Sequence, residues 1–223
     1  MPRRFAEIAF TPSVKAVQSR NGTRAANEKF EQADDPRDTL TAREAEFIAG
    51  RDSFYMATVA ENGWPYVQHR GGPAGFLRVL DEKTIGFADF RGNMQYLSVG
   101  NVEADGRVSL ILVDYPNRRR LKLWGRARVV EAEREPELLS RLEDPTYRAR
   151  VERGMLVTVE AIEWNCPQHI TPRYTEAELA GALGLVRARL TELEEENRRL
   201  RAANASGAMD VSGAMDVSGE SVR

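Results

Sequence analysis

The chain has 223 residues, 32 Lys plus Arg against 34 Asp plus Glu, a formal net charge of -2 and a single cysteine. That length can bury a sizeable core and suits one main globular domain. The balanced charge excludes the global basic field that non-specific nucleic-acid binding needs, and one cysteine excludes an internal disulfide and suits a reducing compartment.

The basic start, Met1-Pro2-Arg3-Arg4-Phe5, is followed by no apolar run of signal-peptide or membrane-spanning length, so the expectation is a soluble cytoplasmic protein with no membrane or nucleic-acid partner. Residues 1–40 mix Pro, Gly, Asp and Lys/Arg with few apolar positions and read as a partly ordered arm laid on a larger surface or a partner subunit. Thr41-Ala42-Arg43-Glu44 is a capping-box pattern opening a helix that turns Ala45, Phe47 and Ile48 inward, with Gly50 as its stop. Ser53 to Ala60 and Trp64 to Arg70 flank Glu61-Asn62-Gly63, and Asn-Gly between β-rich runs predicts a hairpin. Phe76 to Leu80 and Thr84 to Asp89 repeat the arrangement around Asp81-Glu82-Lys83.

A short helix is expected from Asn93 to Val99, ended by Gly100, and then strands Arg107 to Asp114 and Arg120 to Glu131 joined by Tyr115-Pro116-Asn117. Six strands arriving as consecutive hairpins predict an antiparallel sheet that closes into a barrel, because closure removes exposed edges. Helices at Pro136 to Leu142 and Pro145 to Arg153 and a further strand, Met155 to Glu163, follow. Trp164 to Arg173 is an extended polar segment, since Pro167 and Pro172 block helix.

From Glu176 to Ala203 the apolar period changes to a heptad seam, with Leu183, Leu190 and Asn197 at a and Leu179, Val186, Leu193 and Leu200 at d. A lone Asn at an a position favours a parallel two-stranded coil, and the g–e' pairs Arg189–Glu194 and Glu196–Arg201 agree in charge. Residues 204–223 hold the six residues Ser206 to Val211 twice over, too poor in apolar mass to fold.

The stretch Tyr66 to Gln95 concentrates the chemistry: a polar strand end (Gln68, His69, Arg70), the Gly71-Gly72 break, and Phe90-Arg91-Gly92-Asn93 opening the expected helix. Glycines let backbone approach a ligand, and a guanidinium with free helix-start amides suits a phosphate. The bland reading, an ordinary Gly-rich surface turn with a nearby arginine, stands beside it. Cys166 and His169 form a C-x-x-H pair, but structural zinc wants four ligands and the only other histidine is His69, so no metal site is expected.

With the FADFRGN turn, the RVSLIL and RRRLKLWGRARVV strands and the late Trp…Arg segment, residues from about Thr41 to Tyr174 resemble the pyridoxamine 5'-phosphate oxidase family of FMN-binding split β-barrels. QHRGGPAGFLRVLD with FADFRGNMQYLSVGN is similar to its flavin-nucleotide-binding branch. The resemblance implies a mainly β fold with flanking helices and a six-stranded antiparallel split β-barrel over residues 41–175, to which the heptad seam adds a coiled-coil helix over 176–203. It implies a homodimer with FMN in clefts at the interface, which the parallel coil would reinforce.

Position by position, the resemblance places Gln68, His69, Arg70 and Gly71 along the FMN, with Gln68 where the family usually has Arg. Ala88 and Asp89 end the next strand against the cofactor; Arg91, Asn93 and Gln95 hold the phosphate; Arg120 reaches the flavin. Trp164 and Arg173 are counterparts of residues that close over the ring. The basic residue that follows the flavin strand in the named oxidase is replaced by Gly72-Pro73, and its Arg…His pair is only echoed by Gln168-His169, so oxidation of pyridoxamine phosphate itself is not expected. The expected activity is FMN-dependent oxidation or reduction of a small molecule, with His69 and His169 as catalytic candidates. The alternative is a non-catalytic flavin-, F420- or haem-binding dimer acting as an interaction or redox-sensing module.

Overall fold

The Asn62-Gly63 turn folds β1 (Ser53–Val59) against β2 (Pro65–Gly71), with Gly63 at φ 84°, in the left-handed region that glycine tolerates best. The computed structural model describes residues 2–164 and 167–213, so Cys166 lies outside the described residues. Five further strands follow: β3 (Arg78–Val79), β4 (Thr84–Phe90), β5 (Arg107–Asp114), β6 (Arg119–Val130) and β7 (Val151–Trp164). All pairings are antiparallel, in the order β2-β1-β5-β6-β7-β4-β3.

The sheet has seven strands where six were expected, and the hairpins are not consecutive throughout: β1 pairs with β5, and β4 with β7. Ile85 to Asp89 are five buried residues in a row, the signature of a strand covered on both faces, so β4 takes an interior place. One face of all the long strands converges on a single core containing Phe54, Met56, Phe87, Leu110, Leu123 and Val157. The sheet curls until the side chains of β2 and β4, far apart in strand order, meet through Arg70 and Asp89. On the other face a smaller cluster lies under helix α6 (Pro136–Leu142), and here space decides sequence. A Cβ at Gly86 would come within 2.9 Å of Leu142 Cδ2, and one at Gly154 within 2.8 Å of Leu142 Cδ1.

The second helix expected near residues 145–153 is absent, because Val151 to Arg153 are drawn into β7 opposite β4. The helix expected from Asn93 begins later, as α5 (Leu97–Ala104), so Gly100 lies inside it and residues 91–96 remain irregular. The capping box forms as expected on α4 (Ala42–Ala49).

The N-terminal arm is more regular than its composition suggests. It forms α1 (Arg4–Ala9), α2 (Pro12–Arg20) and α3 (Arg24–Glu31), joined by paired aromatics: Phe10 meets Phe30 at 6.0 Å and Phe5 meets Trp124 at 5.3 Å. Few apolar residues suffice because the aromatic ones are used in contacts with the sheet or a neighbouring helix.

The chain divides into two compact units, Met1–Pro172 and Arg173–Arg223. The second contains helix α7 (Glu176–Gly213), on which Leu183, Val186, Leu190 and Leu200 are all exposed along the heptad seam. No helix among the described residues is long and apolar enough to cross a membrane.

Candidate functional site

Strand parity sorts the candidates on β2. Residues 66, 68 and 70 are half-buried, while 65, 67, 69 and 71 are exposed, so the strand has one face over the core and one toward solvent. Gln68 pairs with Met56 and Arg70 with Phe54, and both turn to the core side. His69 pairs with Tyr55 on the opposite face and meets its ring edge-on at 5.4 Å. His69 therefore does not share a wall with Gln68 and Arg70, although the three are consecutive, and Gly71 sits on the exposed side with it.

At the inner end of β2 a cleft opens, lined by Tyr66, Gln68, Arg70, Asp89, residues 92–99 and Glu152. Ser98 donates to Gln68 Oε1 at 2.8 Å, tying α5 to the strand. Arg70 Nη1 donates to Asp89 Oδ1 at 2.5 Å, its guanidinium lies 5.7 Å from the Phe87 ring, and its buried Nε has no acceptor. Burial pushes the Asp89 carboxyl above the ordinary carboxylate range, even though Arg70 and Arg153 pull it down.

Between Asp89 and Phe90 the ladder slips: Asp89 pairs with Arg153, but Phe90 pairs with Val151, leaving Glu152 as the extra residue of a bulge. The slip brings Glu152 to the cleft, and Arg153, the last regular partner before it, stands beside Asp89 at the cleft's edge. Arg91 Nε lies 3.7 Å from Glu152 Oε1, and Arg153 Nη1 lies 3.7 Å from Asp89 Oδ2. Arg91, Asn93 and Gln95 are exposed, with Asn93 Oδ1 accepting from the Gln95 amide at 3.1 Å. Met94 and Tyr96, at φ 60° and 54°, are non-glycine residues in the left-handed region, a costly geometry that clusters at ligand sites. The cleft encloses about 50 Å³, room for a water or two, so a nucleotide-sized ligand would lie along it rather than inside it.

The remaining candidates lie elsewhere. The Ala88 side chain belongs to the cluster beneath α6, on the other face of β4. Arg120 alternates with the core residues Leu121 and Leu123 in a different register, on the outer side of β6, and is not among the cleft residues. Trp164 closes the far end of β7, about 36 Å along the strand from Arg153 at about 3.3 Å per residue. There its indole donates to Glu44 Oε1 at 2.6 Å and meets Phe47 edge-on at 4.8 Å. His169 is exposed in a turn after β7, at φ 62°. Arg173 belongs to the second unit. Among the described residues no group of His, Cys, Asp and Glu could hold a metal ion.

Gln68, Arg70, Asp89, Asn93 and Gln95 thus line the cleft with Tyr66, Tyr96, Ser98 and Glu152, and Arg91 and Arg153 stand beside it, 3.7 Å from Glu152 and Asp89; the sequence did not single out Tyr96, Ser98, Glu152 or Arg153. Nothing local pointed to Glu152 and Arg153, which depend on how β4 and β7 pair.

Several solved structures are similar. HupZ from Group A Streptococcus is 18% identical, with 60% of this chain and 100% of that chain covered and a TM-score of 0.46. A putative pyridoxamine 5'-phosphate oxidase from Lactobacillus delbrueckii is 20% identical, with 56% and 94% covered and a TM-score of 0.44. An FMN-binding protein from Syntrophomonas wolfei is 15% identical, with 69% and 97% covered and a TM-score of 0.43. No curated protein matches the chain. Residues 40–164, more than half of the chain, match the family model described as pyridoxamine 5'-phosphate oxidase, and the chain belongs to that family.

Proposed function

We propose that this protein is an FMN-binding flavoprotein with a split β-barrel, and that it oxidises or reduces a small organic molecule as a homodimer. The observation that carries the reading is the cleft at the β2 end, where the guanidinium of Arg70 keeps a buried, unpaired Nε beside a polar, partly strained segment. Such a donor set fits an anionic, hydrogen-bond-rich ligand. When bound, FMN supplies hydride chemistry at N5, with charge developing toward N1 and the C2 carbonyl. Arg70 would then be the cation that favours the reduced flavin, Gln68 and Tyr66 would donate to the ring, and the 91–96 segment would hold the phosphate. The shallow cleft fits a ligand completed by a second copy. The exposed heptad seam of α7, with Asn197 among its a positions, fits a parallel coil that reinforces that pair.

A second reading, a flavin-, F420- or haem-binding module without turnover, is favoured by one observation. Neither described histidine lines the cleft, so neither His69 nor His169 is placed as its acid or base. A haem held by His69 would sit on the outer face of the β1–β2 hairpin instead. The absorption spectrum of the purified full chain, before and after denaturation, with the released cofactor weighed by mass spectrometry, separates these readings. Released FMN together with a two-copy mass in light scattering supports the first. A Soret band, F420, or no uptake of added FMN removes the FMN assignment, and a one-copy mass removes the homodimer.

A further inference from the structure

We propose that Arg153 is the anion anchor of the cleft, the residue through which it distinguishes a phosphorylated flavin from riboflavin, and that Tyr96 is the cover the phosphate displaces. The inference rests on the flavin reading and deepens it.

Arg153 stands opposite Asp89 at the last regular pair of the β4–β7 ladder, just before the bulge, and its side chain is 16% exposed. Its Nε and Nη1 are buried without a hydrogen-bond partner among the described residues. The nearest carboxylates, Asp89 Oδ2 at 3.7 Å and Glu152 Oε2 at 3.6 Å, are beyond hydrogen-bond length. Asp89 is already engaged at 2.5 Å by Arg70, so Arg153 is surplus to that pair. A guanidinium has no way to shed its charge, and buried donors of this kind are rarely left empty without a purpose. Formal charge agrees: Arg70, Arg91 and Arg153 face Asp89 and Glu152, leaving an excess positive charge for an anion.

What covers Arg153 is weakly held. The Tyr96 ring lies 4.9 Å from its guanidinium carbon, and the Tyr96 hydroxyl reaches Glu152 Oε1 only at 3.5 Å. Tyr96 and Met94 both sit in left-handed backbone, so the segment is strained toward another conformation, and the Tyr96 side chain is already 44% exposed. A phosphate monoester entering under that segment offers the Arg153 fork the acceptors it lacks, in the bidentate geometry that arginine favours over lysine. Arg91, on the exposed rim, is left as a secondary contact.

The test is calorimetric titration of FMN, riboflavin and inorganic phosphate into the full chain stripped of bound cofactor, for wild type, Arg153→Met and Arg153→Lys. The expected result is FMN affinity lowered roughly 10- to 100-fold in Arg153→Met, a smaller loss in Arg153→Lys, and riboflavin affinity unchanged. Unchanged riboflavin binding also reports an intact fold. FMN and riboflavin weakened together, or FMN unaffected, would overturn the assignment. If wild type binds neither flavin, the flavin reading fails and phosphate decides the anchor alone. Phosphate binding lost in Arg153→Met sustains it, and phosphate binding absent from wild type or unchanged in the variant overturns it.

Discussion

Strand β7 carries two charged clusters, one at each end, and they are built oppositely. At the Trp164 end the Glu44 carboxylate is satisfied from two sides: Trp164 donates to it, Thr41 completes the capping box with it, and Arg43 and Arg119 lie 4.5 and 5.1 Å from the indole ring. Burial opposes ionisation of Glu44, but the hydrogen bonds from Thr41 and Trp164 outweigh it and hold its carboxyl below the usual range. At the Arg153 end, Asp89 is shifted upward by burial, guanidinium nitrogens lack acceptors, and the neighbouring backbone is strained. A satisfied cluster holds a fold together, and an unsatisfied one is held in place by the fold and waits for a ligand.

The largest effect that would sharpen this contrast is on stability at the satisfied end. Phe47→Ala removes a ring that is 4% exposed and packed on Trp164, and is expected to cost about 3–5 kcal/mol, a fall in Tm on the order of 10 °C. Trp164→Phe keeps an aromatic ring but leaves Glu44 without the indole donor, with an expected loss of about 1.5–3 kcal/mol in urea denaturation. At the other end, Gln68→Ala deletes one acceptor of Ser98 and is expected to cost only about 0.5–1.5 kcal/mol while weakening FMN. A Gln68→Ala protein as unstable as Phe47→Ala would break the contrast.

The smallest and most diagnostic effect is in pH. Glu44 has a lowered folded pKa, so the native state binds fewer protons there, and its contribution is present above the ordinary glutamate range and lost as pH falls. Asp89 has a raised folded pKa, so its contribution is greatest below the ordinary aspartate range and declines as pH rises through the folded value. Between about pH 3 and 6, the stability difference of wild type over Glu44→Gln should therefore shrink with acidification. The difference of wild type over Asp89→Asn should move the other way, in favour of wild type. Parallel slopes in denaturant titrations would show that the two carboxylates sit in equivalent environments.

What could be read from the sequence was whatever is encoded locally. The Asn62-Gly63 hairpin, the Thr41–Glu44 capping box and the β-rich runs depend on residues within a few positions of one another, and they form where expected. The alternation along β2 likewise separates Gln68 and Arg70 from His69 without reference to any other strand. The family was also legible, because a series of weak motifs in a fixed order is together specific.

Strand order, the curl of the sheet and the second half of the cleft were decided only by the tertiary structure. Nothing near Thr84 to Phe90 states that its partner is β7, some seventy residues on, rather than the strand that follows it. Nothing near Val151 to Arg153 states that they extend rather than coil, since the deciding hydrogen bonds come from β4. The pairing that sets Arg153 opposite Asp89, and the one-residue slip after it that leaves Glu152 as the extra residue, are properties of two paired strands and have no signature in either alone. Side-chain alternation and turn chemistry are short-range and survive in a linear reading. Pairing, bulges and the burial that raises Asp89 arise only once distant segments pack, which is why Gln68 and Arg70 could be named from the sequence and Arg153 could not.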